Sequence, residues 1–174
     1  MKKKAFKLFW TWKDDAEEKW LFEMSKKGWA LRDFKWGLYT FEKIRPAEYI
    51  YKLDYKSTRN NDMEEYLSIF EDAGWEHVAH FFGWHYFRIK ADQSFHQPDI
   101  YSDIDSKVQK YKVLSNFLIY LTLILITIFF TILIQANYTG IEILRWIYII
   151  LIGFNLFAVT RLRWKIKKVR NSSI

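Results

Sequence analysis

The pattern of apolar and polar positions divides the chain into two parts. From Val113 to Gln135 there is no charged residue, and large aliphatic and phenylalanine side chains would surround a helix on every side. At about 1.5 Å per residue this helix would reach roughly 35 Å, enough to cross a hydrocarbon core of about 30 Å. Ile141 to Thr160 is a second, weaker apolar stretch after a short polar segment. We therefore predict two transmembrane helices, 113–135 and 141–160, that form a hairpin.

The first ninety residues repeat themselves at an offset of about 46 positions. The first set of matching residues is Glu18, Trp20, Leu21, Met24, Gly28, Trp29, Gly37 and Phe41. Their counterparts are Glu64, Tyr66, Leu67, Phe70, Gly74, Trp75, Gly83 and Phe87. Similarity at one offset across several elements predicts an internal duplication, with copies at about 5–45 and 47–90.

Each copy has the pattern of a strand, a helix and two further strands. In the first copy, Phe6, Leu8, Trp10 and Trp12 alternate with other residues and predict a strand with one apolar face. A helix is expected over roughly 15–27. Strands at 29–34 and 36–44 follow, joined by a turn at Lys35-Trp36-Gly37 that lacks a strong Asn-Gly signal.

The second copy predicts a strand at 49–56, a helix capped by Asn60 or Asn61, and strands at 75–81 and 84–89. The expected fold class is therefore α+β. It consists of duplicated βαββ units in an elaborated ferredoxin-like arrangement, with a mainly antiparallel sheet that carries its helices on one face. We expect the two copies to form one pseudo-symmetric sheet.

Helical and strand periodicity also selects the core of this domain. The predicted structural core is Trp20, Leu21, Met24, Trp29, Tyr66, Leu67, Phe70 and Trp75. Three glycines stand where helices end or hairpins turn and are predicted as caps or turn residues: Gly28, Gly74 and Gly83.

The remaining segments are a linker and a basic tail. Residues 91–112 are expected to form a polar loop followed by a juxtamembrane helix, which begins at a capping box of Ser102 and Asp105 and continues into the first span. Residues 161–174 form a basic tail. The domain boundaries are thus 1–90, 91–112, 113–160 and 161–174.

Charge gives the hairpin a direction. Residues 1–106 carry 17 basic and 19 acidic side chains, a net of −2, whereas residues 107–174 carry 10 basic side chains and one acid, a net of +9. The basic residues that flank the spans are Lys107, Lys110, Lys112, Arg161, Arg163, Lys165, Lys167, Lys168 and Arg170. The positive-inside rule therefore predicts a two-span protein of the cytoplasmic membrane with both termini in the cytoplasm.

The same charge distribution and the absence of cysteine exclude several function classes. With a net charge of −2, the region 1–106 is poorly suited to bind nucleic acid, because phosphate contacts require basic charge on the folded surface. A chain without cysteine forms no disulfide, no zinc–thiolate site and no thiol nucleophile.

Three groups of residues invite a chemical role, and each has a plainer explanation. His77 and His80 have opposite parity on a predicted strand and would face opposite sides, so His85 could meet only one of them and no metal site is expected. The acids Asp14, Asp15, Glu17 and Glu18 fit a helix N-terminus better than a catalytic pair. Glu142 and Arg145, three residues apart, are expected to form an interfacial ion pair, with an intramembrane functional site as the alternative.

The residues from Trp12 to Leu31 resemble a known signature. The run Trp-x-x-x-x-Glu-Glu-x-Trp-Leu-x-x-Met-x-x-x-Gly-Trp-x-Leu, with an alanine before the paired glutamates, is similar to the opening of an uncharacterised bacterial family, domain of unknown function 2812. Tyr66, Phe70, Gly74-Trp75 and 84–87 resemble its second half. The resemblance covers roughly residues 5–90. It implies a small membrane protein, commonly associated with PadR-type regulators in Gram-positive bacteria, and it carries no catalytic residue or cofactor.

Two hypotheses for function follow. The favoured one is a non-enzymatic interaction or sensory module that is anchored in the membrane and binds a protein partner through an aromatic surface, in a regulatory or envelope-stress system. Its expected partners are the lipid bilayer and that protein, with no cofactor. The alternative is an accessory subunit of a membrane transporter or channel, in which the spans make the contacts. No nucleotide-binding loop, nucleophile elbow or metalloprotease helix appears, so enzymatic activity is not expected.

Overall fold

The computed structural model of the chain describes residues 1–56, 62–91, 100 and 104–171. The strands are β1 (Lys2–Phe6), β2 (Trp29–Lys35), β3 (Leu38–Lys43), β4 (Tyr49–Tyr55), β5 (Glu76–Phe81) and β6 (Trp84–Lys90). The helices are α1 (Asp14–Lys26), α2 (Met63–Asp72), α3 (Ile104–Ile128) and α4 (Ile141–Asn171). A 3₁₀ turn at Thr11–Lys13 precedes α1, and a π-helical segment at Phe129–Leu133 follows α3. The chain divides into two compact units, Met1–Ser102 and Asp103–Ile174.

The N-terminal unit contains two three-stranded antiparallel sheets, with the orders β1-β3-β2 and β4-β6-β5. The predicted α+β class and antiparallel pairing are confirmed. The expectation of one continuous sheet is wrong, because no ladder joins the neighbouring edge strands β2 and β5 within the described residues. Side chains from β4 and β6 of the second sheet reach β2 instead. The Leu31 amide donates to the Tyr51 hydroxyl at 3.1 Å, and the Arg88 guanidinium donates to the Leu31 carbonyl at 3.4 Å.

The two sheets have the same internal geometry. Each has the βαββ chain order, and the middle strand of each is the last strand of its unit. The register of β2 shifts between Leu31 and Asp33, and that of β5 shifts between His77 and Ala79, exactly one repeat offset later along the chain. A bulge at the same position in both copies bends both hairpins in the same way.

Both hairpins close through a two-residue turn with an unusual composition. In the first, Trp36 and Gly37 have φ values of 51° and 76°; in the second, Phe82 and Gly83 have φ values of 47° and 81°. Positive φ at both central residues is the geometry of a type I′ turn, which normally selects Asn, Asp or Gly at the first position. Glycine is favoured at the second position, because side chains other than glycine rarely adopt the positive φ of Gly37 and Gly83.

The helix α1 lies at the centre of the larger core and contacts both sheets. The Trp20 ring packs edge-on against Tyr39 and Phe41 of β3, at 4.8 Å and 5.6 Å between centroids. Glu18 Oε1 accepts a hydrogen bond from the Leu53 amide of β4 at 3.0 Å. The buried side chains of this core are Leu21, Met24, Leu31, Tyr39, Phe41, Tyr51, Leu53, Ala79 and Tyr86.

The helix α2 covers the opposite face of the second sheet and builds a smaller core. Its buried members are Tyr66, Phe70, Trp75 and Phe87. Of the eight residues predicted as core, five are buried: Leu21, Met24, Tyr66, Phe70 and Trp75. The other three, Trp20, Trp29 and Leu67, are partly exposed and pack against the edges of the two cores. Gly28 and Gly74 end α1 and α2 with φ values of 80° and 83°.

The first strand differs from its prediction. It occupies Lys2–Phe6 rather than the alternating stretch from Phe6 to Trp12, because β1 pairs along β3 only as far as Leu38. Beyond that point the chain turns toward α1, and the Trp10 and Trp12 rings stack in parallel with centroids 5.5 Å apart. The apolar face predicted for this stretch is therefore exposed at Phe6 and Leu8, by 68% and 72%.

The C-terminal unit is a pair of packed helices. Residues Lys107–Leu133 and Ile141–Asn171 are each long and apolar enough to cross a membrane, by the measure of length and composition. The predicted capping residues Ser102, Asn60 and Asn61 lie outside the described residues. The helix α4 extends eleven residues past the predicted end of the second span, since no glycine or proline interrupts 161–171.

Replacement of Trp75 by alanine is expected to lower the free energy of unfolding of the N-terminal unit by about 3–5 kcal/mol, as for other large-to-small changes in a core. Trp75 is 4% exposed and packs with Tyr66, Phe70 and Phe87. Urea unfolding followed by near-ultraviolet circular dichroism measures the change. Trp36→Ala is the matched control, because Trp36 is 73% exposed. Equal stability of the two variants would contradict this assignment of the core.

Candidate functional site

A buried glutamate connects the two sheets through α1. Glu17 is 7% exposed, and its Oε1 atom accepts hydrogen bonds from the Tyr39 hydroxyl at 2.7 Å and the Tyr86 hydroxyl at 2.8 Å. Tyr39 belongs to β3 and Tyr86 to β6, so a single carboxylate oxygen contacts both sheets. Hydrogen bonds to a charged acceptor are about twice as strong as neutral ones, and both of these are buried.

The surroundings of Glu17 disfavour its charge. Burial raises the pKa of Glu17, the hydrogen bonds from Tyr39 and Tyr86 lower it, and the nearby carboxylates Asp14 and Glu18 raise it. Burial, followed by the charge of Glu17, also raises the pKa of Tyr39 and of Tyr86. Both phenols therefore remain protonated and act as donors to the carboxylate.

Glu17 lines a small aromatic cavity of about 90 Å³. The lining residues are Phe9, Trp10, Thr11, Asp14, Glu17, Phe34, Leu53, Trp84 and Tyr86. The second carboxylate oxygen of Glu17, Oε2, receives no hydrogen bond from any described residue. Asp14, 2% exposed, is a second buried acid in the same wall. Among the described residues no lysine or arginine lines the cavity, although the Lys7 Nζ atom lies over the ring of the lining residue Phe9 at 4.8 Å.

The neighbouring acid Glu18 has a structural task. Its Oε2 atom contacts the Lys52 Nζ atom at 3.1 Å, while its Oε1 atom accepts from the Leu53 amide. The Ser25 hydroxyl oxygen accepts from the Tyr49 amide at 3.1 Å. These contacts satisfy donors on the free edge of β4 and close that edge to other strands. The acidic run at the start of α1 thus does more than complement the helix dipole.

The hairpin turns present an exposed aromatic surface. We define it as Trp36, Phe82, Phe6 and Leu8. Trp36 and Phe82 are 73% and 70% exposed, and their ring centroids are 5.2 Å apart. The Phe81 ring supports both of them, at 5.1 Å and 4.7 Å. Phe6 and Leu8 lie against Gly37 of the first turn. Four large apolar side chains therefore lie together at the end of the domain where the hairpins turn.

The conformation of these turns costs free energy that burial does not recover. A residue other than glycine at positive φ costs about 1–2 kcal/mol, and Trp36 and Phe82 occupy equivalent positions in the two copies. A glycine or asparagine would make the same turn with less strain. Strain of this kind accumulates at functional sites, so this pair of exposed rings is a candidate contact surface.

The histidines are closer together than the sequence predicts. The bulge between His77 and Ala79 changes the alternation of β5, so His77 and His80 lie on the same face with ring centroids 6.0 Å apart. His85 contacts both, with centroids at 5.3 Å and 5.9 Å, and its Nδ1 atom lies 3.2 Å from the His77 Nε2 atom. The expectation that His77 and His80 face opposite sides is wrong.

This cluster does not have the geometry of a metal site. Within the described residues no group of three or more His, Cys, Asp or Glu side chains is arranged to hold a metal ion. His85 is 2% exposed, and burial lowers its pKa to about 4, with the neighbouring histidines acting in the same direction. The ring is therefore neutral near pH 7 and packs edge-on against Tyr66 at 5.2 Å.

The charged pair in the C-terminal unit forms as expected. The Arg145 guanidinium bonds to the Glu142 carboxylate and also donates to the carbonyl oxygens of Leu133, Ile134 and Ala136. The carbonyls at the end of the first apolar helix are thereby satisfied by a side chain from the second. Arg145, held by Glu142, therefore connects the two helices at the turn between them.

The sequence contained a signal for Glu17 that its acidic neighbours obscured. Glu17 lies four positions before Leu21 and seven before Met24, and it therefore belongs to the apolar stripe of α1. Asp15 lies outside this stripe. An acid on a buried stripe requires partners, and two tyrosines supply them. The exposure of Phe6 and Leu8 had no comparable signal, because their alternation is that of a half-buried strand.

Comparison with known proteins gives one match. Residues 13–123 match the model of a family described as "Protein of unknown function (DUF2812)". The match includes α1, the strands β2 and β3 of the first sheet, the whole second sheet, α2 and the first part of α3, and it leaves out β1. Neither a curated protein nor a solved structure is significantly similar to the chain.

A glycine in place of Trp36 is expected to give a more stable domain than an alanine there, by about 1 kcal/mol, because both remove the ring but only glycine adopts positive φ without strain. The same order is expected for Phe82→Gly and Phe82→Ala. Chemical denaturation of the four variants measures the difference. Ile69, 60% exposed on α2, is the control position, where glycine must be the less stable replacement.

Proposed function

The chain belongs to the DUF2812 family, whose description assigns no activity, and from its geometry we propose that it is a membrane-anchored, non-enzymatic interaction or sensory module. Its C-terminal helices would hold the N-terminal domain at the inner surface of a bacterial cytoplasmic membrane. The domain would bind a protein partner through the aromatic surface. We infer, in addition, that its repeated architecture arose by internal duplication.

The support for the membrane anchor is the composition of the C-terminal unit. Both of its helices contain a long apolar window, and most of their apolar side chains are exposed in the absence of lipid. A water-soluble helix pair would bury that surface. The basic residues flank the two apolar segments, before the first at 107–112 and after the second at 161–170. Under the positive-inside rule this distribution supports a topology with both termini in the cytoplasm.

The single observation that carries the interaction function is the pair of strained, exposed rings at equivalent turns. Trp36 and Phe82 are held in place by Phe81, so little side-chain freedom would be lost on binding. Rigid aromatic side chains of this kind dominate the energetics of protein interfaces. The surface also lies on main-chain turns fixed by Gly37 and Gly83, which makes it pre-organised.

The apolar character of the aromatic surface indicates the chemistry of the partner. The lysines beside the two turns are engaged within the domain. The Lys7 Nζ atom lies over the Phe9 and Trp20 rings at 4.8 Å and 4.7 Å, the Lys56 Nζ atom lies over the Tyr66 ring at 4.7 Å, and Lys35 pairs with Asp33 at 3.5 Å. The surface is therefore complementary to an apolar patch on a protein partner.

The alternative function, an accessory subunit of a transporter or channel, needs contacts from the apolar helices. The polar side chains that could make such contacts are satisfied inside the hairpin. Arg145 bonds to Glu142 and to three carbonyl oxygens, and the Asn155 amide donates to the Leu151 carbonyl at 3.0 Å. The geometry therefore favours the domain surface over the helices as the site of recognition.

The proposed topology predicts which cysteines an impermeant thiol reagent can reach. The natural chain has no cysteine, so single replacements report one position each. Thr139→Cys, in the turn between α3 and α4, should be labelled in intact cells. Ser68→Cys, exposed on α2, should be labelled only after the membrane is permeabilised. The reverse pattern would show that the domain lies outside the cell.

The proposed contact surface can be tested by photo-crosslinking in the native membrane. A benzophenone side chain in place of Phe82 should give an adduct of one discrete mass with a protein partner, and Trp36→Ala in the same chain should abolish it. The same side chain at Ile69 is the control, since this position is similarly exposed but lies on α2. No adduct is expected there.

Two other outcomes would contradict the proposal. Adducts with lipid alone at Phe82 would show that the aromatic surface rests on the bilayer rather than on a protein. Protein adducts from a benzophenone at Trp146 of α4, which is 64% exposed, without any from Phe82 would favour the accessory-subunit alternative.

A further inference from the structure

The cavity beside Glu17 has walls suited to a positively charged group. Four of its lining residues carry aromatic rings that do not hydrogen-bond to Glu17: Phe9, Trp10, Phe34 and Trp84. The faces of such rings are electrostatically negative and attract ammonium groups within about 6 Å of the ring centroid. Trp10 is 53% exposed and forms the rim, so the cavity can be reached from solvent.

Glu17 supplies the cavity with a carboxylate group that has one oxygen available to a ligand. Glu17 is more than nine-tenths buried, and Tyr39 and Tyr86 fix its orientation through Oε1 alone. Oε2 has no donor among the described residues. Within the described residues, the fully buried side-chain polar atom that has no partner is His85 Nε2, so Glu17 Oε2 is reached by water and is open to a ligand that replaces this water.

The composition of the lining selects the sign of the charge. Two buried acids, Asp14 and Glu17, lie in the walls, and no basic side chain does. An anion would be repelled by both acids, and a neutral apolar molecule would leave Oε2 unsatisfied. An ammonium group would satisfy Oε2 and contact the rings at the same time.

We propose that this cavity is a binding site for a small organic cation, with Glu17 as the anionic ligand and Trp10, Phe34 and Trp84 as the aromatic walls. A volume of about 90 Å³ is smaller than the roughly 150 Å³ of a cavity that holds benzene, so it accepts an alkylammonium head group and not a larger ring system. The remainder of a longer molecule would leave the cavity beside Trp10. The site lies apart from the aromatic surface, and its existence does not depend on a protein partner.

Binding of a cation to this site is linked to the protonation of Glu17. The charged groups near it are Asp14 and Glu18 of α1, and the phenols that face it are Tyr39 of β3 and Tyr86 of β6. Because burial raises the pKa of Glu17, a fraction of the carboxyl groups is protonated in mildly acidic solution, and these cannot attract a cation. Affinity should therefore rise with pH through the pKa of Glu17 and then level off.

Tetramethylammonium chloride and saturation-transfer-difference NMR on the full chain in nanodiscs provide the test. The methyl signal should saturate with concentration at constant ionic strength, and tert-butanol, a neutral molecule of similar shape, should give no saturable signal. Glu17→Gln should lower the affinity for tetramethylammonium about tenfold or more, since its amide oxygen still accepts from Tyr39 and Tyr86 but carries no charge. It should also remove the pH dependence.

Matched variants separate a lost site from a lost fold. Glu23→Gln changes an exposed acid of the same helix, paired with Lys26 at 3.8 Å, and should leave the affinity unchanged. Trp10→Ala removes a half-exposed wall and should weaken binding without lowering the melting temperature. The proposal is overturned if tetramethylammonium shows no saturable binding, if tert-butanol binds equally well, or if folded Glu17→Gln or Trp10→Ala retains full affinity.

Discussion

The N-terminal domain depends on one shared carboxylate oxygen. Within the described residues the two three-stranded sheets share no ladder. Glu17 Oε1 connects them by accepting from a tyrosine of each sheet, in addition to the contacts of Leu31 with Tyr51 and Arg88. The carboxylate joins three elements, because Glu17 belongs to α1 and its two partners belong to β3 and β6. Loss of the carboxylate would leave two buried phenol groups without their acceptor, and each such loss costs roughly 1–3 kcal/mol. Glu18, the next residue, secures the same helix to the edge of β4.

The proposed internal duplication would explain why Trp36 and Phe82 occupy equivalent turns. Each βαββ unit ends in a tight hairpin, and the positions of the bulge, the left-handed aromatic residue and the turn glycine recur at the repeat offset. The units nevertheless use their helices differently. The helix α1 packs in the core between the sheets, whereas α2 covers the outer face of the second sheet. The helix α1 therefore connects the two sheets, whereas α2 packs on the second sheet alone.

Periodicity was sufficient to predict the α+β class, the order of elements and the two apolar helices, because each of these depends on local patterns. It was insufficient where distant segments decide the outcome. The separation into two sheets depends on how β2 meets β5. Local sequence periodicity does not determine this contact between distant segments. The parity of His77 and His80 failed at a bulge, since one extra residue reverses the faces of a strand. The strand predicted through Trp12 ended at Phe6 because its partner β3 begins at Leu38.

The cavity and the aromatic surface are separate, but packed rings connect them. Phe34 lines the cavity, and its ring centroid lies 5.7 Å from that of Phe81, the ring that supports Trp36 and Phe82. Two phenylalanine rings therefore lie between the cavity and the exposed pair. Packed side chains transmit displacement because interiors have little free volume. A molecule that displaced Phe34 would change the support beneath both turns. The cavity can affect the aromatic surface in this way only if the molecule binds with different affinity to two arrangements of these rings.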